Sequence, residues 1–400
     1  MFRASANSSQ IDLFSNIEQF LREPDQKKLN APNAWHNVFL DQVTKRIPEE
    51  RFCSLFDEAN GRPNAPVRLL VGMLILKEGF GWSDEQLFEA VHFNLLVRRA
   101  LGLLNLTDEV PVESTYYLFK QRLYRYQVET GINLLQEVFQ ELTKGQAKRL
   151  GVVGEKLRMD STLLGSNLAN CTRLQLIISC LQEFYKSLTA EQKACLSEAD
   201  RELLERLCAK RASQFVYALE EGSKQAWLES LGELLRRLQQ NASLQSSPRS
   251  ALIARLLLEQ YQIEGEEQRV VLKPAKEISA DSLQSPHDEE AAYRKKKDET
   301  VRGYSINATE TCAEELNLIV DVQVDPATAA DNGFLQAAVT RSEAVLEGTV
   351  QEVSTDGAYY SEENETYAKA QGKEIHYTGF PALALTEIDP GSAHETDPVV

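Results

Sequence analysis

Apolar side chains in residues 1–150 recur every three or four positions, which is the spacing of one buried helix face. The clearest case is Asn64–Lys77, where Pro66 stands in the first turn and Gly79 and Gly81 end the helix, as is typical of a helix start and end. Ser83–Gln86 then has the sequence of a capping box, which predicts a second helix directly afterwards. This part of the chain is therefore predicted to be an all-helical N-terminal domain.

Two features of this helical domain suggest contact with nucleic acid. Two helices joined by a short Gly-containing turn have the general shape of a helix-turn-helix, although an ordinary helical hairpin gives the same pattern. The next predicted helix, Tyr116–Val128, interleaves basic residues with tyrosines, which suits phosphate contact and stacking, although a solvated helix face is the alternative. The predicted DNA-binding residues are Lys120, Arg122 and Arg125, with Arg98 and Arg99 as a second basic cluster.

Residues 151–272 contain one strand candidate and then return to helical spacing. Glu155–Met159 follows a Gly-Val-Val-Gly turn, so residues 151–168 are assigned to the opening strand of a second domain. From residue 169 to residue 272 the apolar positions keep a period near 3.6, which predicts a helical insertion. Heptads do not persist in one register, so a coiled coil is not favoured. The helices predicted in the insertion are Leu174–Leu188, Glu198–Leu219, Ser223–Gln240 and Leu252–Tyr261.

Residues 273–380 change to alternating apolar and polar positions, the pattern of β-strands. The predicted order is two strands, a helix, a strand that ends at an acid, a helix and a final strand, which is typical of an α/β domain. Pro, Asp, Thr and Ala dominate residues 381–400, which predicts a poorly ordered tail. The predicted elements are strands Val301–Thr309 and Leu316–Val324, helix Asn332–Val345, and strands Val350–Ser354 and Gly372–Tyr377.

Two aspartates each follow a predicted strand, and they supply the candidate chemistry. Asp160 comes after Glu155–Met159, and Asp356 comes after Val350–Ser354. Carboxylates at strand ends build oxygen-ligand sites for Mg²⁺ or Mn²⁺, and two such ions can support in-line attack on a phosphodiester. We predict that the two strands are parallel neighbours in one sheet, with Asp160 and Asp356 as catalytic and metal-binding residues. Asp-Ser-Thr alone is weak evidence, because the same triplet is a common helix N-cap.

The charge of the chain opposes a nucleic-acid partner at first sight, since the net charge is −17. The distribution weakens this objection: residues 1–160 carry 20 Lys and Arg against 21 Asp and Glu, whereas residues 301–400 carry 4 against 18. The acidity is therefore concentrated around Asp356, where a divalent cation is expected. A solvated acidic surface is the alternative explanation.

Composition and cysteine spacing argue against several other classes of protein. At 42% hydrophobic and 26% charged residues, the chain has the composition of a globular protein of two or three domains. Its 6 Cys are scattered without a CxxC or His-rich pattern, which argues against a zinc site and a disulfide framework. Neither a signal peptide nor an apolar run of membrane-spanning length is found, so we expect a cytoplasmic protein without a membrane partner.

Several fragments of the chain, within about residues 30–380, resemble bacterial insertion-sequence transposases of the DDE type. In the helical domain the similar fragments are Gly61–Pro66, Trp82–Leu87 and Val112–Tyr116. In the second domain they are Met159–Thr162, Ser285–Lys297 followed by Gly303-Tyr304, and Asp356–Tyr359. Each fragment is moderately specific, and their order, with a helical insertion after the first acid, makes the resemblance strong.

This resemblance implies a ribonuclease-H-like catalytic domain that follows the helical domain and is interrupted by the insertion. It implies cleavage and strand transfer at the inverted-repeat ends of an insertion sequence, with target DNA as the second substrate and a homo-oligomer on DNA. The family's first metal-binding Asp corresponds to Asp160 and its second to Asp356, with Mg²⁺ or Mn²⁺ as cofactor. Association with the bacterial nucleoid follows from the same resemblance.

The sequence departs from the family at the third acid, usually a Glu on a helix after the strand predicted at Gly372–Tyr377. The acids of the tail lie in no predicted helix with basic neighbours; they are Glu387, Asp389, Glu395 and Asp397. The third ligand is therefore unassigned. We expect a truncated copy that is inactive alone, with a substitute acid from the tail as the alternative. The rival hypothesis is a non-catalytic DNA-binding or assembly remnant of a transposase.

Overall fold

The computed structural model describes residues 2–4, 15–57, 63–168, 171–265, 269–296, 299–313 and 316–378. This part of the chain combines helices with sheet, in agreement with the predicted α+α/β class. It divides into two compact units, each described by itself. Unit 1 contains Met1–Lys156, Glu310–Asp321 and Thr340–Val350, and unit 2 contains Leu157–Thr309, Val322–Val339 and Gln351–Val400. None of the helices within the described ranges has the length and apolar character needed to cross a membrane.

The N-terminal part of unit 1 is helical, as its apolar spacing predicted. Its helices bury one apolar core, to which Leu70, Leu87 and Phe119 belong. Within the described residues these helices are α1 (Glu23–Leu29), α2 (Trp35–Gln42), α3 (Val67–Phe80), α4 (Asp84–Phe93), α5 (Leu95–Ala100), α6 (Glu113–Thr130) and α7 (Leu134–Leu150).

The junction between α3 and α4 follows the predicted end and start signals. Gly81 ends α3 with a φ of 66°, a left-handed conformation that glycine adopts without steric strain. Ser83 then caps α4: its Oγ accepts a hydrogen bond from the backbone N–H of Gln86 at 3.2 Å, and the Gln86 side chain accepts one from the Ser83 N–H at 2.9 Å. Both signals were local, which is why the sequence located this junction.

Ion pairs stabilise the two later segments of unit 1, Glu310–Asp321 and Thr340–Val350. Arg341 donates to both carboxylate oxygens of the buried Asp321, at 2.7 and 3.0 Å. Glu347 lies between Lys144 and Lys148 of α7, with N–O distances of 2.5 and 2.6 Å. Glu347 has a φ of 52°, which is unfavourable for a residue with a Cβ. We infer that the two lysines stabilise this turn.

Strands occur from residue 156 onward, and six of them form one sheet. The strands in the described part of the chain are β1 (Lys156–Gly165), β2 (Tyr261–Glu264), β3 (Arg269–Leu272), β4 (Ala292–Lys296), β5 (Glu299–Thr311), β6 (Ile319–Pro326), β7 (Glu352–Asp356) and β8 (Glu374–Thr378). The order of the large sheet is β4-β5-β1-β7-β8, and β6 also pairs with β5. The β4–β5 pair is antiparallel and the β7–β8 pair is parallel.

The helices between β1 and β2 form a body with its own apolar core, which includes Ile177, Leu235 and Leu256. The predicted helix Glu198–Leu219 is two helices separated by a short turn. Within the described residues, the helices between β1 and β2 are α8 (Arg173–Ser187), α9 (Ala190–Ala194), α10 (Glu198–Cys208), α11 (Ala212–Tyr217), α12 (Lys224–Gln240) and α13 (Ser250–Gln260). Later in the chain lie α14 (Leu335–Leu346) and α15 (Glu362–Gln371).

The predicted all-helical character of residues 169–272 is wrong at the end of this range, where β2 and β3 form an antiparallel hairpin. The ring of Tyr261 packs so closely on Gly232 of α12 that a Cβ there would lie 2.5 Å from a ring carbon. The Tyr261 hydroxyl donates to the carbonyl of Leu228 at 2.7 Å. This anchoring ends α13, and Gly265, with a φ of 70°, supplies a left-handed position after β2.

β5 approaches the end of β1 so closely that residue 303 has no room for a side chain. A Cβ on Gly303 would lie 2.2 Å from the carbonyl oxygen of Leu164 and 2.6 Å from the backbone nitrogen of Ser166. The Ser166 N–H donates to the carbonyl of Arg302 at 2.9 Å, so the two chains are bonded at this point. Glycine here is a packing requirement of the sheet.

We expect Gly303→Ala to lower the free energy of unfolding by at least about 1–3 kcal/mol, because the added methyl group meets backbone atoms. Gly165→Ala is the matched control, since its added Cβ meets nothing within 4 Å although it lies in the same region. Denaturant unfolding of both variants tests the expectation. Equal stability of the two variants would contradict the close approach of β5 to β1.

Glu347 gives unit 1 a pH-dependent contribution to stability. Hydrogen bonds with Lys144 and Lys148 lower the pKa of Glu347 to about 2, from an ordinary value of 4.5. Because the pKa is lower in the folded state, the contribution is complete above about pH 4.5 and is lost as the pH falls toward about 2.

We therefore expect the difference in Tm between wild type and Glu347→Gln to stay constant near neutral pH. It should shrink as the pH falls from about 4.5 to about 2, because protonation removes the ion pairs from the wild type. Thermal melts over a pH series measure this difference. A difference that is unchanged at about pH 2 would show that the ion pairs do not stabilise the turn.

Candidate functional site

Asp160 lies in the middle of β1, and its side chain is exposed. The sequence predicted a strand that ends at Met159, but the strand continues to Gly165 and this boundary was wrong. Leu157 and Met159 are buried while Arg158 and Asp160 are exposed, which is the alternation of a strand with one covered face. The strand continues because β1 is hydrogen-bonded to β5 on one side and to β7 on the other.

Asp356 is the last residue of β7, as predicted for a strand that ends at this acid. Its Oδ1 accepts a hydrogen bond from the backbone N–H of Ala358 at 2.9 Å and so caps the 3₁₀ helix Gly357–Tyr359. Val353 and Thr355 are buried, while the Asp356 side chain is exposed. β7 and β1 are neighbours in the sheet, so the two acids, about 200 positions apart in the sequence, lie on adjacent strands as predicted.

A buried hydrogen-bond network connects the turn after Asp356 to β5. The Tyr359 hydroxyl donates to Oδ1 of Asn307 at 2.6 Å, and Nδ2 of Asn307 donates to Oγ1 of Thr309 at 3.3 Å. Tyr359, Asn307 and Thr309 are all fully buried. Buried polar groups that are mutually satisfied hold one geometry, so this network fixes the turn that begins at Asp356.

Negatively charged side chains affect the pKa of the Tyr359 hydroxyl. Burial raises the pKa of Tyr359, and the negative charges of Asp331, Asp160 and Asp356 raise this pKa further. A hydrogen bond with Ser161 acts in the opposite direction. These three charges act in the same direction as burial. Ser161 follows Asp160 on β1, so its hydrogen bond with Tyr359 connects β1 to the turn after Asp356.

Asp331 is the acid that the sequence did not single out. It begins the 3₁₀ helix Asp331–Gly333, between β6 and α14. Its side chain is only 9% exposed, and its Oδ1 is buried without a hydrogen-bond partner. The available signal was an acid a few residues after a predicted strand, the same feature that identified Asp356. In the sequence, Pro326 and Asp331 stand between a predicted strand and a predicted helix.

Asp160 and Asp356 are carboxylates, the type of side chain that binds hard divalent cations. Mg²⁺ prefers oxygen ligands and is commonly bound by one or two carboxylates, with waters and substrate phosphates as the remaining ligands. Over the described ranges, no three His, Cys, Asp or Glu side chains are placed to hold one metal ion together. The tail acids considered as a third ligand lie outside the described residues; they are Glu387, Asp389, Glu395 and Asp397.

The three predicted DNA-binding residues of α6 differ in their surroundings. The Lys120 ammonium lies over the rings of Tyr116 and Tyr117, 5.1 and 5.3 Å from the ring centroids. The Arg122 guanidinium lies 5.2 Å from the centroid of Phe56. Arg125 is exposed, as is the neighbouring Tyr124. All three cations therefore remain on the helix surface, and two of them rest on aromatic rings.

Arg98 and Arg99, the second predicted cluster, are engaged within unit 1. Arg98 is 3% exposed and donates to the carbonyl oxygens of Val91 at 3.3 Å and Asn105 at 2.7 Å. Burial lowers its pKa. Arg99 is half-buried and donates to three side chains at 3.0 to 3.2 Å; they belong to Asn37, Glu18 and Asn30. These contacts assign both arginines to the packing of α5.

Comparison with known proteins gives one match. A family model described as "Transposase domain (DUF772)" matches residues 25–122, which run from α1 into α6. Neither the curated proteins nor the solved structures include a match. The matched region contains Lys120 and Arg122 and ends before β1, so it includes neither Asp160 nor Asp356. Residues 25–122 are thus similar to a transposase domain.

Proposed function

We propose that this chain is a transposase that cleaves and joins DNA by metal-dependent phosphoryl transfer. Its proposed substrates are the inverted-repeat ends of an insertion sequence and a target DNA. The observation that carries the proposal is the placement of Asp160 and Asp356 on neighbouring strands, in a chain whose helical region matches a transposase domain. A ribonuclease-H-like catalytic domain and a homo-oligomer on DNA belong to the same proposal.

In this proposal Asp160 and Asp356 hold Mg²⁺ or Mn²⁺. A bound divalent cation neutralises charge on the phosphate and activates the attacking oxygen. Both side chains are exposed, so a DNA phosphate can reach them. The Asp356 carboxylate accepts a hydrogen bond from the Ala358 N–H, and this bond and the buried Tyr359–Asn307 bond position one of the two carboxylates before substrate arrives.

The proposed DNA contact of the helical region is α6. Lys120, Arg122 and Arg125 supply positive charge for phosphates, and the exposed Tyr124 can stack on a sugar or a base. The cation–π contacts of Lys120 and Arg122 restrict these long side chains, which lowers the entropy lost on binding.

A non-catalytic DNA-binding or assembly remnant of a transposase is the second candidate. It is favoured by the extent of the family match, which ends before either acid. The absence of a three-acid metal group, as far as the described residues go, favours it as well. The two candidates differ in one property, because the enzyme needs a divalent cation at Asp160 and Asp356 and the remnant does not.

Divalent cations are expected to raise the Tm of the wild-type chain and not of Asp160→Asn or Asp356→Asn. A cation that binds only the folded state stabilises it by about 2.7 kcal/mol at 100 times its Kd. Thermal melts with EDTA, Mg²⁺ or Mn²⁺ measure the shift. Asp325→Asn, which removes an exposed acid at the end of β6, is the matched control.

Two results of these melts would contradict the proposal that the chain is a metal-dependent enzyme. The same shift in wild type and in both variants would put the cation elsewhere. No shift in the wild type at saturating Mn²⁺ would favour the remnant.

Replacing Lys120, Arg122 and Arg125 together by Ala is expected to weaken DNA binding and to flatten its salt dependence. Each lost phosphate contact lowers the slope of log K against log salt by about 0.9, so the loss of three contacts lowers it by ~2.7. Fluorescence anisotropy with a labelled duplex over a salt series measures both quantities.

The matched control for charge removes three cations of the helical insertion, Lys193, Lys210 and Arg211, and should keep the wild-type slope. Because Lys120 and Arg122 contact aromatic rings, the Tm of the α6 variant is measured beside its affinity. An unchanged slope in a folded α6 variant would show that this helix face is only solvated.

A further inference from the structure

The face of α6 that points away from the core of the helical region has its own composition. The opposite face packs against that core through residues spaced three or four positions apart, which are Tyr116, Phe119, Leu123 and Tyr126. The outward face has the same spacing, and its side chains are exposed. We call it the outer ridge of α6, and it consists of Ser114, Leu118, Gln121, Arg125 and Val128.

The outer ridge exposes apolar surface together with one amide. Leu118 and Val128 keep 47% and 66% of their surface exposed, and the exposed Gln121 lies between them along the helix. Tyr117 and Tyr124 lie beside the ridge and are exposed as well. Apolar and aromatic side chains that gather on one exposed face, rimmed by polar residues, mark an interaction surface.

Cations lie on both sides of the outer ridge. Successive residues of an α-helix are about 100° apart, so Lys120 and Arg122 project to opposite sides of Gln121. Each is held on its side by a ring: the Lys120 ammonium lies over Tyr117, and the Arg122 guanidinium lies over Phe56. The neutral Gln121 therefore stands between two positive charges that point in different directions.

This arrangement fits the major groove of duplex DNA. The groove is about 12 Å wide and admits an α-helix, whose diameter with side chains is about 10–12 Å. A helix in the groove presents its outermost side chains to the base edges and its flanks to the phosphates of the two strands. Phosphates complement Lys120 and Arg122, whereas a symmetric contact between two α6 helices would bring the cations of both copies together.

We propose that α6 binds in the major groove of the DNA substrate and that Gln121 reads an adenine there. This inference rests on the proposed function and adds a specificity-determining residue to it. A Gln amide accepts a hydrogen bond from adenine N6 and donates one to adenine N7, a pattern that the other bases do not present in this groove. Leu118 and Val128 supply apolar surface for thymine methyl groups. Arg125 shares the ridge, and its long side chain can reach a phosphate.

Selection from a pool of DNA duplexes tests the proposal with the full chain. The duplexes carry a stretch of random base pairs between fixed ends, and sequencing of the bound fraction gives the base preference at each position. Wild type is expected to select a motif that contains one strongly preferred adenine. Gln121→Ala should keep the rest of the motif and lose about 5–150-fold of the discrimination at this adenine, the effect of one bidentate contact.

Gln127→Ala is the matched control, because Gln127 is an exposed glutamine of the same helix, about 120° around it from Gln121. This variant should select the wild-type motif. Replacing the preferred adenine by 7-deazaadenine, which lacks the N7 acceptor, should weaken binding by wild type and by Gln127→Ala, but not by Gln121→Ala. Gln121→Glu is a second variant: it has no donor for N7, and it should prefer cytosine, whose N4 amino group donates to a carboxylate.

Salt dependence separates base reading from phosphate contact. Gln121 carries no charge, so Gln121→Ala should keep the wild-type slope of log K against log salt, which replacement of Lys120, Arg122 and Arg125 lowers. Ala is favourable at an exposed helix position, so the Tm of Gln121→Ala should not fall below that of wild type.

Four results would overturn the proposal. Three of them leave the phosphate contacts of α6 standing: wild-type binding without base preference, an unchanged motif in Gln121→Ala, or an equal loss in Gln127→Ala. The fourth is conversion of an oligomer of the DNA-free chain into a monomer by Leu118→Ala, measured by sedimentation, which would make the outer ridge a contact between copies. If wild type does not bind DNA at all, the proposed DNA contact of α6 is wrong together with the role of Gln121.

Discussion

The candidate site depends on one buried hydrogen bond, from the Tyr359 hydroxyl to Oδ1 of Asn307 at 2.6 Å. Asn307 lies on β5, Tyr359 ends the turn that Asp356 begins, and β1 with Asp160 lies between β5 and β7. Loss of this bond would leave buried polar atoms unpaired, at a cost of about 1–3 kcal/mol. The position of the Asp356 turn relative to the strand of Asp160 is therefore set by a side chain that never reaches solvent.

Local signals in the sequence predicted the elements that depend on few residues. Gly81 and the Ser83 capping box located the junction of α3 and α4, because each acts through neighbouring backbone atoms. The strand pattern of Val350–Ser354 located most of β7, which the structure places two residues later, at Glu352–Asp356. The adjacency of β7 and β1 came from a resemblance and a chemical argument, since no local pattern specifies which strands pair across about 200 residues.

Features that depend on distant contacts were missed or placed wrongly. The β2–β3 hairpin was assigned to helix, because its cause is Tyr261 packing on Gly232, a contact that apolar spacing does not reveal. Arg98 looked like a surface cation from its basic neighbour, whereas its guanidinium pairs with backbone carbonyls in the interior of unit 1. Asp331 was not singled out, because its burial depends on packing in the folded chain that its position between a strand and a helix does not reveal.

In the proposed function, the nearly neutral and the acidic parts of the chain have different roles. The helical region is nearly neutral and can present the cations of α6 to phosphates, whereas residues 301–400 are strongly acidic around Asp356. An acidic surface repels DNA, so the proposed chemistry requires divalent cations to reverse the local charge before a phosphate can approach. Under this proposal DNA engagement at the acids and cation binding are coupled, and the contact of α6 with DNA does not need the cation. A chain that has lost the metal would then still bind DNA and would not process it. Addition of the cation would restore processing by the enzyme and not by the remnant.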